Sequence, residues 1–312
     1  MNTNSTPCVA ILLATYNGQV FLPEQLNSFL SQTHSNWKIL ASDDGSCDQT
    51  LTILEQFRMD HGTEKLSIVS GPGKGFVANF FSMVCSETCS ADYYAFSDQD
   101  DVWENDKLQR AIDWLKTIPN NTPALYCART RLVDQDNREI GLSPLFPKKP
   151  CFENALVQSI AGGNTMVFND AARCLFKTVS DNTELNSHDW WYYIIITGLG
   201  GQFFYDHHCS LRYRQHSGNL TGMNTSFSAK LFRIRMLFEG RFKKWNDENM
   251  MMLAKSQHLL TPENKIIFDR FVQARKSNLF SRLIVFFIKI KIHRQTFFGN
   301  IALIAAAIVN KV

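Results

Sequence analysis

Positions 9–14 read VAILLA, an uninterrupted apolar run bounded by polar residues, as expected of a parallel strand buried on both faces. The turn Thr15–Gly18 follows, and residues 23–32 show helical spacing, with Leu22, Leu26, Phe29 and Leu30 on one face. The alternation then repeats. Strand patterns at 37–41 (WKILA), 66–70 and 92–96 (DYYAF) are separated by helical patterns at 48–58 and 76–89, the first turning Leu51, Leu54 and Phe57 inward. Strands alternating with helices of about a dozen residues imply βαβ units and a parallel sheet. In such sheets ligands bind at the carboxyl ends of the strands. Three polar clusters stand there: Thr15-Tyr16-Asn17, Asp43-Asp44-Gly45-Ser46 and Asp98-Gln99-Asp100-Asp101. They come from separate strands and are expected to converge.

The pattern is less regular beyond residue 110. Strand-like stretches are expected at 125–133 and 201–205, a further apolar edge around Gly162-Gly163, and a helix over 186–196 opening near His188-Asp189. A polar stretch, 211–222, follows. From about residue 226 the chain becomes helical, basic and amphipathic. Two strongly apolar stretches, 279–292 (LFSRLIVFFIKIKI) and 297–309 (FFGNIALIAAAIV), are each shorter than the ~20 residues a spanning helix needs. They are expected to lie in a membrane interface, with Lys230, Arg233, Arg235, Arg241, Lys243 and Lys244 supplying positive charge. Packing on the catalytic core or in a dimer is the alternative.

Composition narrows the class. Hydrophobic residues are 45% of 312, enough for a sizeable core, and a net charge of +3 is too small to imply nucleic acid. The eight cysteines show no CxxC spacing, so reduced thiols are expected rather than a zinc site or a disulfide framework. Nothing near the start reads as a signal peptide, and export is not expected.

The acidic cluster carries the clearest chemistry. Asp98 and Asp100 stand two apart at a strand end and would share a face if strand geometry persisted. Carboxylates so close repel unless a cation lies between them, and hard ions such as Mg²⁺ or Mn²⁺ share oxygen ligands with phosphates. Asp101 is also suited to cap a helix beginning near Glu104. The loop Gly71-Pro72-Gly73-Lys74-Gly75 lacks the glycine spacing and the Ser or Thr of a P-loop; it is either a plain turn or, with a helix N-terminus after it, a place that favours a pyrophosphate. His207-His208-Cys209 lacks helical ligand spacing and reads as a strand edge.

Ala14-Thr15-Tyr16-Asn17-Gly18, Ser42-Asp43-Asp44-Gly45-Ser46, the glycine loop and Phe96-Ser97-Asp98-Gln99-Asp100-Asp101-Val102-Trp103, in this order, resemble family 2 glycosyltransferases of GT-A fold. The resemblance is nearest to bacterial rhamnosyl-, glucosyl- and galactosyltransferases of O-antigen and capsule assembly, and covers about 225 residues. It implies that Ala14, Thr15, Tyr16 and Asn17 line a nucleotide pocket, that Asp44 accepts a hydrogen bond from the base, and that Lys74, Gly75, Gln99 and Arg214 lie on the nucleotide-sugar. It implies a Mg²⁺ or Mn²⁺ ion on the diphosphate held by Asp98 and Asp100, with Asp101 competing as ligand. His216, in Tyr213-Arg214-Gln215-His216-Ser217-Gly218-Asn219, is a candidate third ligand. Gly163 and Asn164 resemble an acceptor-side loop. Asp189 falls where the family has its catalytic base, and Trp190 and Trp191 beside it either stack on a sugar or pack in the core.

The expected organisation is therefore an α/β GT-A domain over 1–225, binding nucleotide-sugar within about 1–110 and acceptor within about 111–225, and a helical extension over 226–312. The expected activity is inverting transfer from a UDP- or dTDP-sugar to a hydroxyl of a lipid-diphosphate-linked glycan. The expected place is the inner face of the cytoplasmic membrane. A nucleotidyl- or phosphate-transferring enzyme, or a membrane-associated protein that binds sugar-nucleotide without turnover, are the alternatives.

Overall fold

A computed structural model describes residues 6–160, 162–179, 185, 187–216 and 241–312. The chain divides into two compact units: Met1–Leu145, Ala161–Thr183 and Phe204–Gly222 form the first, and Phe146–Ile160, Glu184–Phe203 and Met223–Val312 the second. The expected acceptor-side helix near Asp189 thus clusters with the C-terminal residues.

The first unit opens with β1 (Val9–Thr15), α1 (Leu22–Leu30), β2 (Trp37–Asp43), α2 (Thr50–His61), β3 (Leu66–Ser70), α3 (Phe76–Cys85) and β4 (Tyr93–Ser97). β1 runs parallel to β2 and β4 on its two sides, and its unbroken apolar run is buried because both faces are covered. Thr15 pairs with Asp43 and Leu13 with Ser97, so the three polar clusters leave the sheet at one edge. Leu22, Leu26, Phe29, Leu54 and Phe57 face the core as their spacing requires, whereas Leu30 and Leu51 point out.

Beyond β4 lie β5 (Val102–Trp103), α4 (Lys107–Leu115), β6 (Ala124–Val133), β7 (Glu139–Leu142), β8 (Val167–Asn169), α6 (Asp170–Thr178) and β9 (Gln202–Arg214). The described sheet has nine strands in the order β3-β2-β1-β4-β8-β6-β9-β5, with β7 on β6. The pairings β4–β8, β8–β6 and β9–β5 are antiparallel, so the expected parallel character is confined to β1–β4. The expected strand over 201–205 and the polar stretch after it are one long strand up to Arg214, and His207, His208 and Cys209 lie within it.

The second unit holds α5 (Phe152–Ala155), α7 (His188–Gly198), α8 (Arg241–Lys255), α9 (Pro262–Lys276), α10 (Leu279–Leu283) with a π-helical turn at Ile284–Lys289, and α11 (Phe297–Ile308). Among the described residues no helix is long and apolar enough to cross a membrane. Lys230, Arg233 and Arg235 fall outside the described residues, and Lys243 and Lys244 form ion pairs with Asp247 and Glu248 along α8. All eight cysteines are free, with only Cys89 and Cys127 buried.

Candidate active site

The loops after β1, β2 and β4 are tied together by hydrogen bonds. The Thr15 hydroxyl donates to Asp43 Oδ1 at 2.9 Å, and Asp43 also accepts from the Ser46 amide and hydroxyl. The Asn17 amide donates to Ser46 Oγ at 2.8 Å, and the Cys47 amide to Asn17 Oδ1 at 2.8 Å. Gln99 grips the backbone of Tyr16 from both sides: Tyr16 N–H donates to Gln99 Oε1, and Gln99 Nε2 donates to Tyr16 O, each at 2.8 Å. This close approach explains Gly18, where a Cβ would stand 2.2 Å from Gln99 Oε1. The side chain of Tyr16 is exposed and Ala14 half-buried.

Asp44 closes the glycine loop. Its two carboxylate oxygens accept from the amides of Gly73 and Gly75, both at 2.7 Å. Gly75 precedes α3 at φ +87°, a conformation few other residues adopt. These amides, expected to favour a pyrophosphate, are thus bonded to Asp44, and Lys74 is exposed. Asp43, Asp44, Ser46, Leu51, Ile68 and Gly71 line a pocket of about 400 Å³. Leu51 forms an apolar wall there, which gives its outward position a purpose.

The carboxylates of Asp98, Asp100 and Asp101 each offer an oxygen within 4.8 Å of the others, and they are the one such group among the described residues. Asp98 and Asp100 are half-buried, on a bend after β4 rather than a continued strand. Asp101 is fully buried and committed to protein donors, accepting from Asn164 Nδ2 at 2.5 Å and from the Arg214 amide at 3.2 Å. It does not cap a helix: β5 intervenes and Asp106 precedes α4. Burial, then the charges of Asp100 and Asp98, push its carboxyl well above the usual range. His216 Nε2 stands 2.9 Å from Asp100 Oδ2, its ring against Phe21. Ser217, Gly218 and Asn219 lie outside the described residues.

Arg214 is placed otherwise than expected. Its guanidinium, 1% exposed, donates to the carbonyls of Asp100 (2.9 Å) and Gln135 (2.7 Å) and pairs with Glu24. Through these contacts it fastens the acidic loop. Gly163 and Asn164 are buried too: Gly163 opens a 3₁₀ turn, and Asn164 bridges Asp101 and Lys107 Nζ, which donates to Asn164 O at 2.5 Å. Lys107 lies 4.2 Å over the Trp103 ring, and burial pushes its ammonium down to about 7 against the pull of Asp101 and Asp98. Lys107, Glu24 and Phe21 were not foreseen, because a Lys or Glu in a helical pattern reads as a solvated face. The one available hint was the run of charges on either side of Trp103.

Asp189 opens α7 in the second unit, after Ser187 at the N-cap. Its Oδ1 accepts from the Trp190 amide at 2.6 Å and from the Ser187 hydroxyl. Trp190 donates to Ala155 O at 2.7 Å and stacks on Phe242, and Trp191 is wholly buried. Of the two alternatives for these tryptophans, core packing is the observed one, and a sugar has no access to their faces. Burial pushes the neighbouring His188 down to about 3.

The fold, a parallel half-sheet extended by antiparallel strands, recurs in known structures. TarS of S. aureus, solved with UDP-GlcNAc, superposes with a TM-score of 0.57 over 97% of this chain and 89% of its own, at 14% identity. The mannosyltransferase PcManGT of Pyrobaculum calidifontis, solved with GDP-Man and Mn²⁺, does so with a TM-score of 0.53 over 99% and 86%, at 13% identity. The fold is GT-A. The family model described as "Glycosyl transferase family 2" matches residues 10–176, and the chain belongs to that family of glycosyltransferases. A curated relative, the dTDP-rhamnosyl transferase RfbG of Shigella flexneri, is 29% identical over 249 residues, 74% of this chain and 81% of its own.

Proposed function

We propose that this glycosyltransferase moves a sugar, with inversion, from a UDP- or dTDP-linked donor to a hydroxyl of a lipid-diphosphate-linked glycan at the inner face of the cytoplasmic membrane. One observation carries the reading: half-buried Asp98 and Asp100, beside His216, share a sheet edge with a base-sized pocket bounded by Asp44. The dTDP-rhamnosyl activity named for RfbG supports a pyrimidine donor.

The donor's base enters the pocket between Asp44 and Leu51, and Tyr16 and Asn17 border the ribose. Asp98 and Asp100, with His216 as third ligand, would hold a divalent cation, Mg²⁺ or Mn²⁺, which would supply positive charge to the diphosphate of the leaving group. The Mn²⁺ in the PcManGT complex accords with this ion. Asp101, bonded to Asn164 and to the Arg214 amide, braces the bend. Asp189 takes the proton of the acceptor hydroxyl as its oxygen bonds to the anomeric carbon and the sugar–phosphate bond breaks. A carboxylate suffices because the proton moves only as the new bond forms.

The test is nucleotide release with Mn²⁺ or Mg²⁺ from UDP-glucose, UDP-galactose, their N-acetyl forms and dTDP-rhamnose, using a lipid-diphosphate-sugar acceptor. Asp100→Ala and Asp189→Ala run alongside. Cation-dependent release from one donor, lost at least 100-fold in both variants, supports the proposal. Tight donor binding without turnover in the unmodified protein would point instead to a non-catalytic sugar-nucleotide-binding protein.

A further inference from the structure

Within the second unit, α11 has the sequence FFGNIALIAAAI, apolar on every side except Asn300. Its inner stripe, Leu303, Ala306 and Ala307, is buried, yet its outer stripe is apolar as well. Phe297 is 75% exposed and Phe298 80%, and Ile301, Ile304 and Ile308 continue the face. α10 and the turn after it repeat this design. Arg282 and Phe286 point inward while Phe280, 80% exposed, and Ile284 and Ile288 point outward at four-residue spacing. Arg282 fastens the two helices, donating to Ala307 O at 2.9 Å and Ser277 O at 2.7 Å. Every exposed position in 279–288 and in 297–309 is apolar. A surface helix of a water-soluble protein places its charges at those positions, and soluble monomers rarely leave such faces open.

Charge identifies the occupant. No Asp or Glu follows Asp269, whereas Arg270, Lys276, Lys289 and Lys291 are exposed. Lys289 directly follows the exposed Ile288, and Lys291 lies two residues further on, beyond the buried Ile290. A second copy of the chain would set this cationic rim against its like, whereas an anionic lipid surface complements it. α11, twelve residues and so about 18 Å long, is too short for a ~30 Å hydrocarbon core.

We infer that α10 and α11 form an insertion face that lies side-on in the headgroup region of an anionic phospholipid bilayer, with Phe280, Phe297 and Phe298 as its wedges. This deepens the proposed action at a membrane and rests on it. The helices orient the enzyme on the lipid surface.

The full chain would be sedimented with vesicles of phosphatidylglycerol and phosphatidylethanolamine, and separately with phosphatidylcholine vesicles. Light scattering measures the mass of the free protein, and donor-dependent nucleotide release is assayed in parallel. The expected result is binding to the anionic vesicles at least tenfold tighter than to the neutral ones. Phe297→Asp/Phe298→Asp should abolish it and Lys289→Glu/Lys291→Glu should weaken it at least fivefold, with nucleotide release in the absence of vesicles unchanged. A protein that stays in the supernatant with anionic vesicles overturns the inference, as do folded variants that sediment like the unmodified chain. So does a dimer that Phe297→Asp/Phe298→Asp converts to monomer without any effect of vesicles. If no donor turns over but vesicle binding follows this pattern, the insertion face stands and the catalytic reading falls.

Discussion

The residue that decides most at the smallest scale is Gln99, whose amide holds Tyr16 by two hydrogen bonds where Gly18 leaves room. Gly18→Ala should push that amide aside and raise the donor KM about tenfold. Gln99→Ala should also raise KM, by loosening the same turn. Because removal of the amide relieves the clash, the double variant should be no worse than the worse single one. A double-mutant cycle on donor KM reads this coupling. Arg214 offers a second case. Its buried guanidinium serves three acceptors, so Arg214→Met should cost about 3 kcal/mol in urea unfolding. Arg214→Lys should recover little of it, because an ammonium cannot reproduce the planar fork. Such roles were hidden in the sequence. The acids announced themselves through repulsion, but Arg214, Glu24 and Lys107 acquire meaning only from partners far along the chain.

At the scale of elements, legibility followed the mode of burial. Strands β1, β2 and β4 are covered on both faces, so their apolar runs could be read directly, and the register of β1 with its neighbours delivered the expected convergence. β9 carries QFFYDHHCSLRYR, whose polar positions gave no continuous signal, and its pairing rather than its composition makes it one strand. The helix α7 was legible through Ser187 and the acid of its first turn. It also carries a pH dependence. His188 holds its proton only below about 3 in the folded chain, against an ordinary 6.5 when unfolded. Between these values the unfolded state binds the extra proton, so the stability this group leaves intact above pH 6.5 is lost as pH falls. The slope is about 1.4 kcal/mol per pH unit, or about 2 kcal/mol between pH 6.5 and 5. Urea unfolding at pH 7 and pH 5 should show His188→Gln losing that much less than the unmodified protein.

At the scale of the whole molecule, ligand linkage is the most direct test of the acidic cluster. A cation that binds the folded chain at one hundred times its dissociation constant adds about 2.7 kcal/mol to stability. Mn²⁺ should therefore raise the melting temperature of the unmodified protein and leave that of Asp100→Ala unchanged, with EDTA reversing the effect. Calorimetry with and without the ion would check it.

The fastening of the acidic bend by Arg214 has a bearing on biogenesis. Asp100 and Asp101 leave the ribosome more than a hundred residues before Arg214 and His216, which hold them. A nascent chain ending near residue 176, where the family match stops, carries the acids but not their fastening. If the acidic bend serves the proposed role, competence for sugar transfer is withheld until translation has passed β9. An N-terminal fragment, a frameshifted product or a stalled chain would be inert rather than partly active, and the enzyme cannot be divided at the end of its most recognisable segment.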